Sequence, residues 1–109
     1  MDLDQTADCL DALGNATRLN IYRMLVRAGR AGLAVGAIQE RAMIPRSTLS
    51  HHLHRLIAVG LVTQERQGTT LICCANFEAM QGVVAFLSAE CCKDESEGAA
   101  REKAQGSSQ

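Results

Sequence analysis

A mainly α-helical domain with one small β-hairpin is the fold class the sequence predicts. Three observations predict it. Apolar residues recur at helical spacing through most of the chain, and the clearest period-two segment is short and follows Gly60. With no Trp, one Tyr and two Phe, the core must be built from Leu, Ile, Val, Ala and Met, a set that suits helices better than sheets. The length, 109 residues, allows one domain with a modest core of its own, so a homodimer is the default expectation.

The first helix is expected from Leu3 to Leu13, with Cys9, Leu10 and Leu13 on one stripe opposed by acids. Gly14 and Asn15 punctuate it, and Asn15 can cap the next helix by accepting a backbone N–H. That helix, Ala16 to Ala28, carries Leu19, Ile21, Tyr22, Leu25 and Val26 and reads as the main buried one. Gly29 to Gly32 makes a turn, and Val35 to Ala42 a short helix with Ile38 inward and Gln39, Glu40 and Arg41 outward. Met43, Ile44 and Pro45 turn into a further helix, where Leu49, Leu53, Leu56 and Ile57 fall on one side. Pro45 suits a helix start because its missing N–H would have been unpaired there, and Gly60 supplies the stop. Two short helices joined by such a turn form a helix-turn-helix.

Beyond Gly60, Leu61 to Arg66 alternates apolar and polar, Thr69 to Ala75 is β-prone, and Gln67-Gly68 between them reads as the hairpin turn. Asn76 can cap a last helix whose stripe, Met80, Val83, Val84 and Leu87, extends to Cys91. From Lys93 onward no apolar anchor remains. The expected organisation is therefore a folded domain over 1–92 and a disordered polar tail over 93–109.

Charge is distributed unevenly. The net charge is −1, yet between Pro45 and Gly68 the charged residues are Arg46, Arg55 and Arg66 against Glu65, with all three His beside them. The helix following Pro45 leaves Ser47, Ser50, His51, His54 and Arg55 opposite its leucines, a face of short hydrogen-bonding groups and cations. In a helix-turn-helix the second helix enters the major groove, so Arg46, Ser47, Thr48, Ser50, His51 and His54 are the expected readers of double-stranded DNA. The modest positive field predicts binding that fades quickly with salt. His51 and His54 lie one turn apart but have no Cys or carboxylate neighbour in sequence, which argues against zinc; His52 is expected to pack partly inward beside Leu53 and Leu56.

Ser47-x-x-Ser50-x-His52-Leu53-x-x-Leu56-x-x-x-Gly60-Leu61-Val62, followed by Arg66-x-Gly68 and preceded by Leu10-Asp-Ala-Leu-Gly-Asn-Ala-Thr-Arg-Leu19, resembles the ArsR/SmtB family of winged-helix metal and metalloid sensors. The resemblance runs from about Cys9 to Cys92. It implies a winged helix-turn-helix that dimerises through its first and last helices, with Arg66 and Gln67 at the wing tip touching backbone or minor groove. It also implies a repressor of operator DNA that acts in the cytoplasm, in keeping with an acidic N-terminus (Asp2, Asp4, Asp8, Asp11) unlike a signal peptide and with no apolar run long enough to span a membrane.

The five cysteines are an odd number, include two adjacent pairs and argue for reduced thiols rather than a disulfide framework. The Cys-x-Cys inducer motif of ArsR-like repressors is absent from Gly36 to Ala42, and no His follows His54 to build the zinc site of the last helix. A vicinal Cys91-Cys92 at the end of the last helix resembles an arsenical-responsive subset. The family's antiparallel last helices would bring Cys73 or Cys74 of one subunit towards Cys91 and Cys92 of the other; within one chain a helix of that span holds them roughly 20 Å or more apart. Adjacent strand residues face opposite ways, so one of the pair is expected at the site. Cys73 is preferred, because its spacing from Cys91 matches that subset; the alternative is that Cys73, Cys74 and Cys9 are all small core hydrophobes.

The expected function is thus a homodimeric repressor released by trivalent arsenic or antimony species (arsenite, methylarsenite or antimonite) bound to the thiolates of Cys73, Cys91 and Cys92. The missing tail cysteine leaves room for the two-sulfur demand of a monomethylated arsenical. No organic cofactor is expected, and the chain offers no glycine-rich phosphate loop or acid–base constellation of an enzyme. Two alternatives remain: a thiol redox or persulfide switch on the same fold, and a winged-helix protein-interaction module without operator binding.

Overall fold

The computed structural model describes residues 1–96. Its elements follow the order α1 (Leu3–Leu13), α2 (Ala16–Ala28), β1 (Leu33–Ala34), α3 (Val35–Ala42), α4 (Arg46–Ala58), β2 (Val62–Gln67), β3 (Thr70–Ala75) and α5 (Phe77–Ser88), with 3-10 turns at Gly29–Ala31 and Asp94–Ser96. This is a winged helix-turn-helix: α3 and α4 are the motif, and the β2–β3 hairpin is the wing.

Side-chain caps explain the helix starts. Asp2 and Gln5 form a reciprocal capping box on α1, Asn15 accepts from the Arg18 N–H at the head of α2, and Asn76 accepts from the Ala79 N–H at the head of α5. Asn76 also donates to the Gly60 carbonyl at 2.9 Å, so one residue caps α5 and closes the base of the wing. Pro45 is the N-cap of α4 rather than its first residue, and Met43 takes the left-handed conformation that ends α3.

Leu25, Ile21, Ile38, Leu49, Leu53, Leu56, Leu61, Val62 and Cys73 form the heart of the core. The helical stripes differ in part from expectation. In α1 the buried residues are Thr6, Cys9 and Ala12, while Leu10 is exposed; in α2 Leu19 is exposed and Arg18 takes its place. On α5 Val83 alone is buried, and Val84 and Leu87 stand 60% and 63% exposed. With Leu3 and Leu10 on α1, they leave an apolar surface on the two helices, which pack against one another.

The sheet order is β1-β3-β2, all antiparallel. Two-residue β1 was not expected: it pairs Leu33 with Cys73 and Ala34 with Ile72, making β3 the central strand. The hairpin register pairs Gln67 with Thr70, so the turn is Gly68-Thr69, one residue beyond the expected Gln67-Gly68, with Gly68 at φ +67°. The last helix stops at Ser88 instead of reaching Cys91. Asp94–Ser96 form a 3-10 turn inside the expected tail, of which 97–109 lies outside the described residues.

Gly32 lets α2 return to the sheet. At φ +70°, any Cβ there would stand 2.5 Å from the Cys73 carbonyl and 2.6 Å from the Cys74 sulfur. Gly32→Ala is expected to lower stability by about 3 kcal/mol in urea unfolding, whereas Gly36→Ala, in open space on α3, is expected to raise it by about 0.5 kcal/mol.

Candidate functional site

Helix α4 owes its orientation to Leu49, Leu53 and Leu56, which are buried in the core. The opposite side then has to face solvent. Arg46, Ser47, Thr48, Ser50, His51 and His54 are all exposed, as are Arg66 and Gln67 beside the wing turn. Arg46, Ser50 and His54, at i, i+4 and i+8, also line a groove of about 160 Å³ shared with Gln64 and Leu71 of the wing. The structure therefore brings the predicted helix residues onto one open surface beside the hairpin.

Two side chains of α4 face elsewhere. Arg55 Nη2 lies 3.2 Å from Asp11 Oδ2, so this cation is tied to α1. His52 is half-buried, and its Nδ1 lies 3.3 Å from Arg18 Nη1. Burial first, then the neighbouring Arg18, His51 and Arg55, pushes the His52 pKa below its ordinary value. The Arg18 contact was missed from sequence, although a signal existed: Arg18, Ile21, Tyr22 and Leu25 share one helical stripe, and the other three are core.

The thiols separate into two groups. Cys73 is fully buried in the core, where Gln64 Nε2 approaches its sulfur at 3.4 Å and burial pushes its pKa up. Strand alternation does turn one cysteine of the pair outward, but that one is Cys74, whose thiol donates to the Arg30 carbonyl at 3.4 Å. Cys9 is buried, its thiol donating to the Val59 carbonyl at 3.6 Å and its pKa raised by burial. Cys91 and Cys92 are exposed on the turn after α5. Cys92 adopts φ +61°, and the two sulfurs converge to 3.3 Å, too far for a disulfide and close enough to share a proton. Hydrogen bonding to Cys91 and the nearby Glu95 push the Cys92 pKa up.

Residues 13–65 match a helix-turn-helix domain family. A curated relative, nodulation protein NolR of Rhizobium meliloti, is 32% identical over 87 residues, covering 80% of this chain and 69% of that protein. A homodimeric winged helix-turn-helix DNA-binding domain from Mycobacterium bovis, described as a possible ArsR-family regulator, superposes with a TM-score of 0.65 at 29% identity over 87% of this chain and 83% of that one. The chain belongs to the ArsR family of transcriptional regulators. An ArsR-like regulator from Rhodococcus shares the fold over 96% of both chains, with a TM-score of 0.76 at 24% identity. The family regulates transcription and is not enzymatic. Among the described residues, no helix of this ArsR-family protein is long and apolar enough to cross a membrane.

The exposed residues of α4 and the wing should contribute differently to DNA binding. Arg66→Ala is expected to weaken binding evenly across sequences and reduce the salt slope of log K by about 1, whereas Ser50→Ala is expected to lose preference at one base position with the slope unchanged. Affinity measured across a salt series, on specific and scrambled duplexes, checks both.

Proposed function

We propose that the protein is a homodimeric, cytoplasmic repressor that reads a two-fold operator and leaves it when a trivalent arsenical is captured at Cys91 and Cys92. The apolar surface of α1 and α5, with Leu3, Leu10, Val84 and Leu87 exposed, supports pairing through those helices. The M. bovis relative is itself described as a homodimer. Arg46, Ser47, Thr48, Ser50, His51 and His54 read the major groove, while Arg66 and Gln67 flank it.

The observation that carries the inducer reading is the 3.3 Å convergence of the Cys91 and Cys92 sulfurs on an exposed turn. A left-handed non-glycine residue costs about 1 kcal/mol, and here it aims two neighbouring thiols at one point. Soft thiolates select thiophilic ions. Each As–OH group exchanges for an As–S bond with release of water and no change of oxidation state, so methylarsenite needs two sulfurs and arsenite or antimonite three. Cys73 is the proposed third ligand. Since it lies in the core, its recruitment requires β3 to move, whereas a two-sulfur inducer needs no such movement.

The same sulfur geometry favours a second reading, oxidation of the pair. A peroxide would take two electrons and two protons from Cys91 and Cys92, leaving a disulfide and water. Either event acts only through different affinities for the DNA-competent and incompetent states.

The test titrates methylarsenite, arsenite, antimonite and peroxide separately into operator-bound protein under reducing or oxidising conditions as appropriate. Methylarsenite is expected to release DNA stoichiometrically, Cys91→Ser and Cys92→Ser to abolish release, and Cys73→Ser to spare methylarsenite while weakening arsenite and antimonite. Release that survives both vicinal substitutions rejects the thiol site; release by peroxide alone, reversed by reductant, rejects the arsenical in favour of the redox reading.

A further inference from the structure

Three contacts run from the α1–α2 layer to one stripe at the side of α4, separate from its leucine face. His52, Arg55 and the C-cap Val59 recur at i, i+3 and i+7, and meet Arg18, Asp11 and Cys9. The Arg55–Asp11 pair is solvent-exposed and a thiol is a weak donor, so neither holds the helix firmly. Arg18 differs. Its residue is only 8% exposed, and a buried cation persists only where it is partnered. Its Nε donates to the Ala12 carbonyl at 2.6 Å, in the last turn of α1 where the helix dipole is negative, and its Nη1 faces His52 Nδ1 at 3.3 Å.

We propose that Arg18 is a positioning residue for the operator-reading helix: anchored on the last turn of α1, it holds neutral His52 as an acceptor and so sets how α4 sits relative to the α1 layer. This rests on the reading of α4 as the helix that enters the operator. Guanidinium groups only donate, so His52 Nδ1 must offer its lone pair and Nε2 must carry the proton. Protonation of His52 would put two donors face to face and break the contact.

The titratable and charged groups facing this imidazole are Arg18 from α2, and His51 and Arg55 from α4, with Asp11 of α1 held on Arg55. Burial first, and then these neighbours, lower the folded-state pKa. The unfolded chain therefore binds the proton more readily: the contribution to stability is complete above the ordinary value of about 6.5 and declines as pH falls from there through the lower folded value. Operator affinity should follow the same direction, because the strut orients the reading helix.

The experiment measures operator affinity against pH for the intact protein, His52→Leu, His52→Asn and Arg18→Lys, with circular dichroism confirming folding. His52→Leu and Arg18→Lys are expected to bind roughly tenfold more weakly at neutral pH, the scale of one lost hydrogen bond to a charged group. His52→Asn, whose carbonyl restores an acceptor, is expected to recover most of that loss. The acid limb is read as the difference between the wild-type and His52→Asn profiles, in which contributions common to both cancel, and it is expected to be present in the former alone. His52→Leu binding like wild type, or His52→Asn binding as weakly as His52→Leu, would overturn the assignment. Nitrogen NMR of the free protein gives a readout independent of DNA: a neutral His52 protonated on Nε2 at pH 7 is expected, and a proton on Nδ1 rejects the strut even if no operator is bound. If that tautomer is found and wild-type protein binds no operator, the DNA reading fails and the contact stands.

Discussion

Burial of Leu49, Leu53 and Leu56 is the constraint on which the remainder depends. Each is almost wholly removed from solvent, and full burial of a leucine is worth about 1.5–3 kcal/mol, so rotating α4 about its axis would forfeit more than its polar contacts return. Once those leucines are fixed, the 3.6-residue repeat leaves no choice about the other faces. Arg46, Ser47, Ser50, His51 and His54 must look outward, and His52 and Arg55 must look sideways at α1 and α2. A short helix with no acidic residue thereby becomes an open polar surface beside a hairpin, which is what a helix-turn-helix regulator presents to DNA.

The sideways face links that surface to the apolar layer of α1 and α5. Asp11 and Ala12 lie in the last turn of α1, Arg18 begins the buried stripe of α2, and α1 and α2 both meet α4 through hydrogen bonds rather than through apolar packing alone. Polar contacts specify direction as well as distance, so the proposed strut would carry small displacements of α1 to α4 through defined atoms. The vicinal thiols stand at the other end of this layer, on the turn after α5. Under the proposed function, an inducer captured there would alter the two-helix layer before it reached the face of α4 assigned to DNA.

Much of this was legible in the sequence because the residues concerned obey local rules. Asn15 and Asn76 announce helix starts by capping chemistry, and the leucine spacing of α4 fixes its inner side without knowledge of any neighbour. What escaped was set by tertiary context. Leu10 and Leu19 read as core by hydropathy, yet the buried stripes are set by Cys9 and Arg18, because the carbonyl of Ala12 and the imidazole of His52 satisfy the guanidinium there. Strand β1 has two residues, too few to show a period, and exists because Gly32 lets Leu33 and Ala34 lie against β3. Cys73 and Cys74 were separable by alternation but not assignable to faces, since strand parity says that they differ and not which is inside. The sulfur convergence at Cys91 and Cys92 depends on one left-handed backbone residue that no side-chain pattern signals.

Which side of α4 meets DNA decides how the protein works, and amide and side-chain shift mapping on operator addition tests this most directly. Perturbations concentrated at Arg46, Ser47, Ser50, His51 and His54 and at the Arg66–Gln67 corner, with Leu49 and Leu53 little affected, are the predicted result. Perturbations centred instead on the outer surfaces of α1 and α5, with that face of α4 silent, would contradict it.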